Sequence, residues 1–171
     1  FKDEIETVLR SLWFVAFALI GWSVVMWLAD MYGRTKRTET DTTWRDTLII
    51  GIAQCLALIP GVSRSGATIS AGLLRGFDRV AVTKLSFFLG IPALVAAGAL
   101  QAVTEHKHIA AGVGWGNTLL ATAVSAVVGY AVIAWLLKYV AHNNFSAFIW
   151  YRVILGGLVI VLLACGVITA V

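Results

Sequence analysis

Long apolar runs, separated by short charged segments, form the pattern of this chain. Residues 12–29, 85–103, 118–137 and 151–171 are each apolar over about the length that an α-helix needs to cross a bilayer. Pro92 lies inside the second run, where we expect it to kink the helix. The pattern predicts an all-α, polytopic integral membrane protein with four transmembrane helices, in which residues 1–171 form one membrane domain.

Two shorter apolar segments lie between the first and second of these runs. Residues 47–59 and 67–74 are each too short to cross a membrane comfortably. Pro60 cannot continue a helical hydrogen-bond ladder and Gly61 relaxes the backbone, so the first segment should end there. We therefore predict a re-entrant helical hairpin over residues 47–76, whose second helix begins at Ala67 and whose two ends lie on the same side of the membrane.

The charged segments predict the orientation of the chain. Residues 30–46, 75–84 and 138–152 hold nine of the 13 Lys and Arg residues, and the segments across the membrane from them hold three. Because positive loops favour the cytoplasm, the hairpin should enter from the cytoplasm and point towards the outer half of the membrane. Residues 104–116 and 138–150 are predicted loops, and the Thr-rich residues 38–43 are expected to be mobile.

Composition agrees with a membrane protein, because 60% of the 171 residues are hydrophobic and soluble domains have roughly 45–50%. The net charge of +4 therefore reflects loop charge and not nucleic-acid binding. The two cysteines lack the spacing of a zinc site or a disulfide framework. The chain starts at Phe1 without a signal-peptide pattern, and we expect it to be part of a longer protein.

One arginine stands at the predicted helix break. Charge at membrane depth costs roughly 2.5–3.5 kcal/mol on insertion scales, so an arginine there usually has a function. Arg64 offers planar, bidentate donors that match phosphate oxygens, and the start of a helix favours an anion. Its neighbours supply hydroxyl groups, glycine N–H groups and one amide. They are Ser63, Ser65 and Thr68, then Gly61 and Gly66, and finally Gln54 before the break.

Simpler interpretations of this stretch stay open on the sequence alone. Arg64 could pair with a carboxylate and only fix the turn, and either Ser63 or Ser65 could be the cap of the following helix. Gln54 could face a ligand or bond to a neighbouring helix. The functional interpretation is a site for an oxyanion such as a phosphate group.

The run from Gln54 to Thr68, Gln-Cys-Leu-Ala-Leu-Ile-Pro-Gly-Val-Ser-Arg-Ser-Gly-Ala-Thr, resembles the second signature of the undecaprenyl-diphosphatase (bacitracin-resistance protein) family. The runs from Gly72 to Gly76 and from Ser86 to Pro92 also fit that family. The resemblance implies an integral membrane phosphatase that removes the terminal phosphate of undecaprenyl diphosphate. Such an enzyme regenerates the carrier lipid for bacterial cell-wall synthesis.

The resemblance also implies residue roles and a fold. Arg64 corresponds to the phosphate-binding arginine of the signature, and Ser63, Ser65 and Thr68 correspond to its hydroxyl partners. The implied fold is an inverted repeat with two re-entrant hairpins, and the implied active site opens to the outer face of the bacterial cell membrane. Because the sequence predicts one hairpin, we expect this chain to be half of that fold or somewhat more.

The first signature of the family, a Glu-x-x-x-Glu pair followed by a Pro-Val-Ser-Ser-x-Gly-His-like run, is absent from this sequence. All nine acidic residues fall in predicted loops or termini. They are Asp3, Glu4, Glu6, Asp30, Glu39, Asp41, Asp46, Asp78 and Glu105. The resemblance implies a divalent cation, Mg²⁺ or Ca²⁺, and we expect its ligands to come from a first repeat outside this chain and none from within it.

Two other functions are compatible with the same features. A transporter or flippase of polyprenyl phosphate lipids is the main alternative, because inverted-repeat transporters also aim the N-termini of broken helices at anionic substrates. A structural or assembly subunit is the third. A homodimer is compatible with each of these functions.

Overall fold

A computed structural model of the protein describes residues 11–33 and 36–169. The predictions for residues 1–10 therefore lie outside the described residues. The described residues form seven α-helices: α1 Leu12–Tyr32, α2 Trp44–Cys55, α3 Arg64–Leu74, α4 Arg79–Thr104, α5 His106–Ala111, α6 Trp115–His142 and α7 Ser146–Ala164. Short 3₁₀ turns cover Glu39–Asp41 and Leu56–Leu58.

Four helices are long and apolar enough to cross a membrane, namely α1, α4, α6 and α7. The predicted all-α fold with four membrane-spanning helices is thereby confirmed for the described residues, and the protein is a multi-pass membrane protein. Pro92 lies inside α4, which continues as one α-helix from Arg79 to Thr104.

The predicted helix–break–helix element is present between α1 and α4. Helix α2 tightens into the 3₁₀ turn, and residues 59–63, which we call the break, separate that turn from α3. Both helices begin three residues before their predicted starts. Thr43 forms a capping box with Asp46 and so starts α2 at Trp44, and Ser63 caps α3 so that it starts at Arg64 and not at Ala67. That the hairpin leaves the membrane on the side it entered stays a prediction.

Several predicted loops are shorter or more ordered than expected. Residues 104–116 contain α5, and the predicted loop 138–150 is reduced to residues 143–145 between α6 and α7. Phe145 explains this short turn, because it is buried and packs beside Phe148. The Thr-rich segment is not a loop without structure either, since Thr38 and Asp41 close a capping box around the first 3₁₀ turn.

Ion pairs join the helix ends on one side of the bundle. Asp30, in the last turn of α1, accepts a hydrogen bond from Arg79 Nε at 2.7 Å and another from the N–H of Phe145 at 3.2 Å. Lys84 and Glu39 form a second pair between α4 and the 3₁₀ turn. The prediction that every acid lies in a loop or terminus is wrong for Asp30, which belongs to a membrane-spanning helix and holds three chain segments together.

The second exception is Asp46, whose side chain is fully buried in the first turn of α2. Its carboxylate accepts hydrogen bonds from Arg37 at 2.5 and 3.1 Å and from Arg75 Nε at 2.9 Å. The bond from Arg37, with further bonds from Thr43 and Arg75, holds the pKa of Asp46 well below its usual range, although burial acts in the opposite direction. The two ends of the hairpin are thereby joined by one buried carboxylate.

Replacing Asp46 with alanine should destabilise the hairpin, because two arginines and the Thr43 cap lose their shared acceptor. We expect a loss of about 1.5–3 kcal/mol, the value of hydrogen bonds to a charged group, because both arginines are partly exposed and can regain water when the carboxylate is removed. Thermal unfolding of the detergent-solubilised protein measures it. The folded pKa of Asp46 is depressed, so its contribution is present above the unfolded pKa of about 3.9 and is lost as the pH falls below it.

The matched control for that variant is Glu39→Ala, because the pair between Glu39 and Lys84 is partly exposed to solvent. Exposed pairs contribute about 0–1 kcal/mol, so the control should change the unfolding temperature little. Equal effects of the two substitutions would contradict a stabilising role for the buried carboxylate.

Candidate functional site

The break places a helix N-terminus inside the bundle. The side chain of Ser63 accepts a hydrogen bond from the N–H of Gly66 at 3.2 Å, which answers the open question of which serine caps α3. The backbone of Ser63 has a φ of +21°, a conformation that is uncommon for a residue with a side chain. The N–H groups of Arg64 and Ser65 have no hydrogen-bond partner among the described residues, as expected for the first turn of a helix.

Arg64 is the first residue of α3 and is half-buried. A Cβ atom built on Gly90 of α4 would lie 2.8 Å from Cζ and from both terminal nitrogens of Arg64. A point equally distant from those three atoms at that range lies above the guanidinium plane, so the guanidinium rests with one face over Gly90. Within residues 11–33 and 36–169, no carboxylate forms an ion pair with Arg64. The alternative in which a carboxylate pins Arg64 therefore has no support from the described residues.

The two remaining hydroxyl candidates have different surroundings. Ser65 is half-buried and lines a cavity with Ser63. Thr68 is buried, and its hydroxyl donates towards the carbonyls of Arg64 and Ser65 at 3.1 Å and meets the hydroxyl of Ser86 at 2.8 Å. Ser65 is thus placed to meet a ligand, whereas Thr68 fixes the first turn of α3 against α4.

The two glycines of the motif contact α1. A Cβ atom on Gly61 would lie 2.6 Å from the carbonyl oxygen of Val15 and 2.7 Å from Cβ of Ala18, and its φ is +95°. Gly66 lies against Met26 and Trp22 of the same helix, and its N–H is already bonded to Ser63. Both glycines therefore allow the break to approach α1. The expectation that they present N–H groups to a ligand is wrong for Gly66, whose N–H is bonded to Ser63, and stays a prediction for Gly61.

Gln54 lies in the last turn of α2, just before the 3₁₀ turn. Its side-chain oxygen is buried and has no hydrogen-bond partner among the described residues. Buried amide oxygens without a partner are uncommon and usually have an explanation such as an absent water or ligand. Among the described residues, the Gln54 side chain forms no hydrogen bond to a neighbouring helix, so that interpretation has no support there, and its role towards a ligand stays a prediction.

Arg152 was missed as a site residue by the sequence analysis, which placed it at the edge of the last span as a loop charge. It is the seventh residue of α7, is 9% exposed, and donates to the carbonyl oxygen of Gly61 at 2.8 Å. It also donates to the hydroxyl of Ser23 at 3.2 Å and to the carbonyl oxygen of Leu19 at 3.4 Å. No described carboxylate pairs with it. The only signal in the sequence was that this arginine lies within a predicted apolar run, residues 151–171.

A cavity of about 250 Å³ opens beside the break. Ser63, Ser65 and Arg152 lie on its wall, and the guanidinium of Arg64 lies on the α4 side and is not part of that wall. The rest of the wall is mainly apolar and aromatic: Met26, Gly66, Ile69, Leu136, Phe145, Phe148 and Tyr151. The cavity therefore combines hydroxyl groups and a positive charge with an apolar surface.

The described carboxylates do not fit a divalent cation at the break. Asp46 is bound by Arg37 and by Arg75, which follows the last residue of α3 and lies roughly 16 Å along the helix axis from its first residue. Asp30 and Glu39 are bound by Arg79 and Lys84. Within residues 11–33 and 36–169, no three His, Cys, Asp or Glu side chains come together as a metal-binding group. The residues around the break instead offer an anion positive charge, hydroxyl groups and the N–H groups at the start of α3.

These features define the class of the molecule: a polytopic helical membrane protein with a broken helix suited to an oxyanion. The profile of the bacitracin resistance protein BacA family matches residues 1–158. The chain belongs to that family, as its resemblance in the sequence predicted.

Three relatives illustrate the similarity. Undecaprenyl-diphosphatase 3 of Frankia casuarinae is 64% identical over 170 residues, covering 99% of this chain and 61% of the relative. The undecaprenyl-diphosphatases of Cutibacterium acnes and a Nocardioides species are 54% and 51% identical over 99% of this chain and 62% and 61% of their own lengths. The chain thus spans about three fifths of the length of the curated relatives it matches.

Substituting Gly61 with alanine should destabilise the protein by more than about 2 kcal/mol, because a left-handed φ and a collision with the backbone of α1 act together. The unfolding temperature in detergent is the measurement. Gly129→Ala in α6 is the control, since nothing lies within 4 Å of a Cβ atom there, and it should leave stability unchanged or raise it slightly. A neutral Gly61→Ala variant would show that the break is not seated on α1.

Proposed function

We propose that the protein is a membrane phosphatase that hydrolyses undecaprenyl diphosphate to undecaprenyl phosphate and inorganic phosphate. The observation that carries the proposal is Arg64, which begins a helix inside the bundle and has no carboxylate partner among the described residues. The similarity of the chain to three undecaprenyl-diphosphatases supports the same substrate. The reaction would recycle the carrier lipid of cell-wall synthesis and so contribute to bacitracin resistance.

In this proposal Arg64 binds the diphosphate and stabilises the charge that develops on the transferred phosphoryl group. Ser63 and Ser65 donate hydrogen bonds, and the N–H groups of Arg64 and Ser65 add the favourable end of the helix dipole. Arg152 contributes a second positive charge while it holds the carbonyl of Gly61. Donors fixed before the reaction act strongly where little water screens them.

The apolar side of the cavity suits the lipid part of the substrate. Phe145, Phe148 and Tyr151 line it next to Ser63 and Ser65. A polyprenyl diphosphate has a charged head directly attached to an apolar chain, so adjacent polar and apolar walls match its two parts. We place the first isoprenoid units of the chain against these aromatic side chains.

A divalent cation, Mg²⁺ or Ca²⁺, is part of the proposal only as a partner from outside this chain. The described residues do not fit it, and we propose that its ligands come from a first repeat of a full-length protein. The same holds for the group that activates the attacking nucleophile. The proposed location is the bacterial cell membrane with the site facing the outer side, in line with the excess of positive residues on the hairpin's side.

Arg64→Ala should lower kcat/KM for phosphate release from undecaprenyl diphosphate by roughly 10²–10³-fold, as expected when one donor to a developing charge is removed. The assay uses the protein extended to the full length of its relatives, in detergent micelles. Arg45→Ala is the matched control, because Arg45 is an exposed arginine near the start of α2. Transbilayer movement of the lipid without phosphate release would instead favour the flippase alternative.

The 171-residue chain alone should release no phosphate from the same substrate, because its described residues offer the break neither a carboxylate cluster nor a general base. It should nevertheless retain weak affinity for inorganic pyrophosphate through Arg64. Equilibrium binding and phosphate release are measured on the same preparation. Turnover by the isolated chain would overturn the assignment of the missing chemistry to another part of the protein.

A further inference from the structure

Helices α3 and α4 meet along a regular row of contacts. Thr68 meets Ser86 through a hydrogen bond of 2.8 Å between their hydroxyl groups. One turn further along α3, a Cβ atom on Gly72 would lie 2.4 Å from Cγ1 of Val82, so the side chain of Val82 packs directly onto α3 where Gly72 has no side chain. One turn before Thr68 along α3, the corresponding pair is Arg64 with Gly90.

These three pairs follow the antiparallel geometry of the helices. Each step of four residues forward along α3 is matched by a step of four residues back along α4, so the pairs lie on one face of each helix. The pairs Gly72–Val82 and Thr68–Ser86 set the separation of the helices. At the third pair, Arg64 with Gly90, this separation leaves room for the guanidinium only because the residue on α4 has no side chain.

We propose that Gly90 is a positioning residue for the phosphate-binding group. Because Gly90 has no side chain, the guanidinium of Arg64 can lie directly over it, and we call this surface of α4 the seat of Arg64. Gly90 is buried, and the three atoms nearest to a Cβ atom there all belong to that guanidinium. Because Arg64 has no ion pair among the described residues, this surface and the turn of α3 restrict where its charge can lie. The proposal uses the function proposed above only for its consequence in catalysis.

Gly90→Ala separates this role from ordinary helix packing. The added methyl group would collide with the far end of a flexible side chain and not with backbone, so the helices can stay in place while the guanidinium moves. Gly98→Ala is the matched control, since Gly98 is an exposed glycine of the same helix with nothing within 4 Å of a Cβ atom. Alanine also has the higher helix propensity at both positions.

The first test uses the 171-residue chain and needs no enzymatic activity. Phenylglyoxal modifies accessible arginines, and peptide mass spectrometry gives the rate at Arg64 itself. Gly90→Ala should raise that rate several-fold, whereas Gly98→Ala should leave it at the wild-type value. An unchanged rate in both variants would overturn the proposed seat, whatever the function of the protein.

If Gly90→Ala lowers the unfolding temperature, a double-mutant cycle with Arg64→Ala shows whether the loss acts through the guanidinium. If the methyl group acts through Arg64, its effect should disappear in the Arg64→Ala background, where the guanidinium is absent. If Gly90 only allows two helices to pack, the loss should persist in that background, and the proposal is then wrong.

The catalytic consequence is tested in the protein extended to the length of its relatives. Gly90→Ala should lower kcat/KM for phosphate release by roughly 10- to 100-fold, the size expected when a binding group is displaced by about an ångström. Added inorganic pyrophosphate should also protect Arg64 from phenylglyoxal less well than in the wild type. A wild-type protein without phosphatase activity would contradict the proposed function and leave the modification test of Gly90 as the deciding result.

Discussion

The close packing of α3 between its neighbours is the constraint on which the rest of the structure depends. Gly66 brings α3 against Met26 and Trp22 of α1, and Gly72 brings it against Val82 of α4. Lipid tails are as apolar as leucine, so helices in a membrane associate through such close contacts and through hydrogen bonds between them. Because α3 is fixed on two sides, the direction in which its first residue points is also fixed.

The charged residues are divided between the two ends of α3. At its last turn, Asp46 and Asp30 bind Arg37, Arg75 and Arg79. At its first turn, Arg64 and the nearby Arg152 have no carboxylate partner among the described residues. Carboxylates at one end offset most of the arginine charge there and stabilise the hairpin, while the arginines at the other end lack a carboxylate and leave a positive potential that favours an anion.

Local signals explain what the sequence could predict. The apolar runs showed the four spanning helices, and Pro60 with Gly61 showed the break, because each feature depends on neighbouring residues alone. The start of α3 was misplaced by three residues, since the capping role of Ser63 depends on a backbone conformation with φ near +21° that sequence patterns do not reveal. The loop between α6 and α7 was overestimated because polar residues 142–144 concealed the packing of Phe145.

The unpredicted part of the site depends on contacts between distant segments. Arg152 meets Gly61 across 91 residues of sequence and Ser23 across 129, so no local pattern could join them. The seat of Arg64 on Gly90 is of the same kind, since a glycine in a long apolar helix looks the same in sequence whether it is exposed, as Gly98 is, or lies against a guanidinium. Only the register between α3 and α4 distinguishes the two glycines.

The partners of Arg152 show how the break can be held without losing its charge. Two backbone carbonyls and one serine hydroxyl accept hydrogen bonds from Nε and one terminal nitrogen, so dipoles satisfy three of its five donors, and the other terminal nitrogen has no partner among the described residues. A carboxylate in their place would satisfy the same donors and also cancel the positive potential at Ser63 and Ser65. Burying an arginine without an opposite charge has an unfavourable desolvation free energy, which hydrogen bonds to neutral dipoles offset only in part. The arrangement is therefore expected where an anion completes it, and the diphosphate head of a lipid has the charge and oxygen geometry to do so.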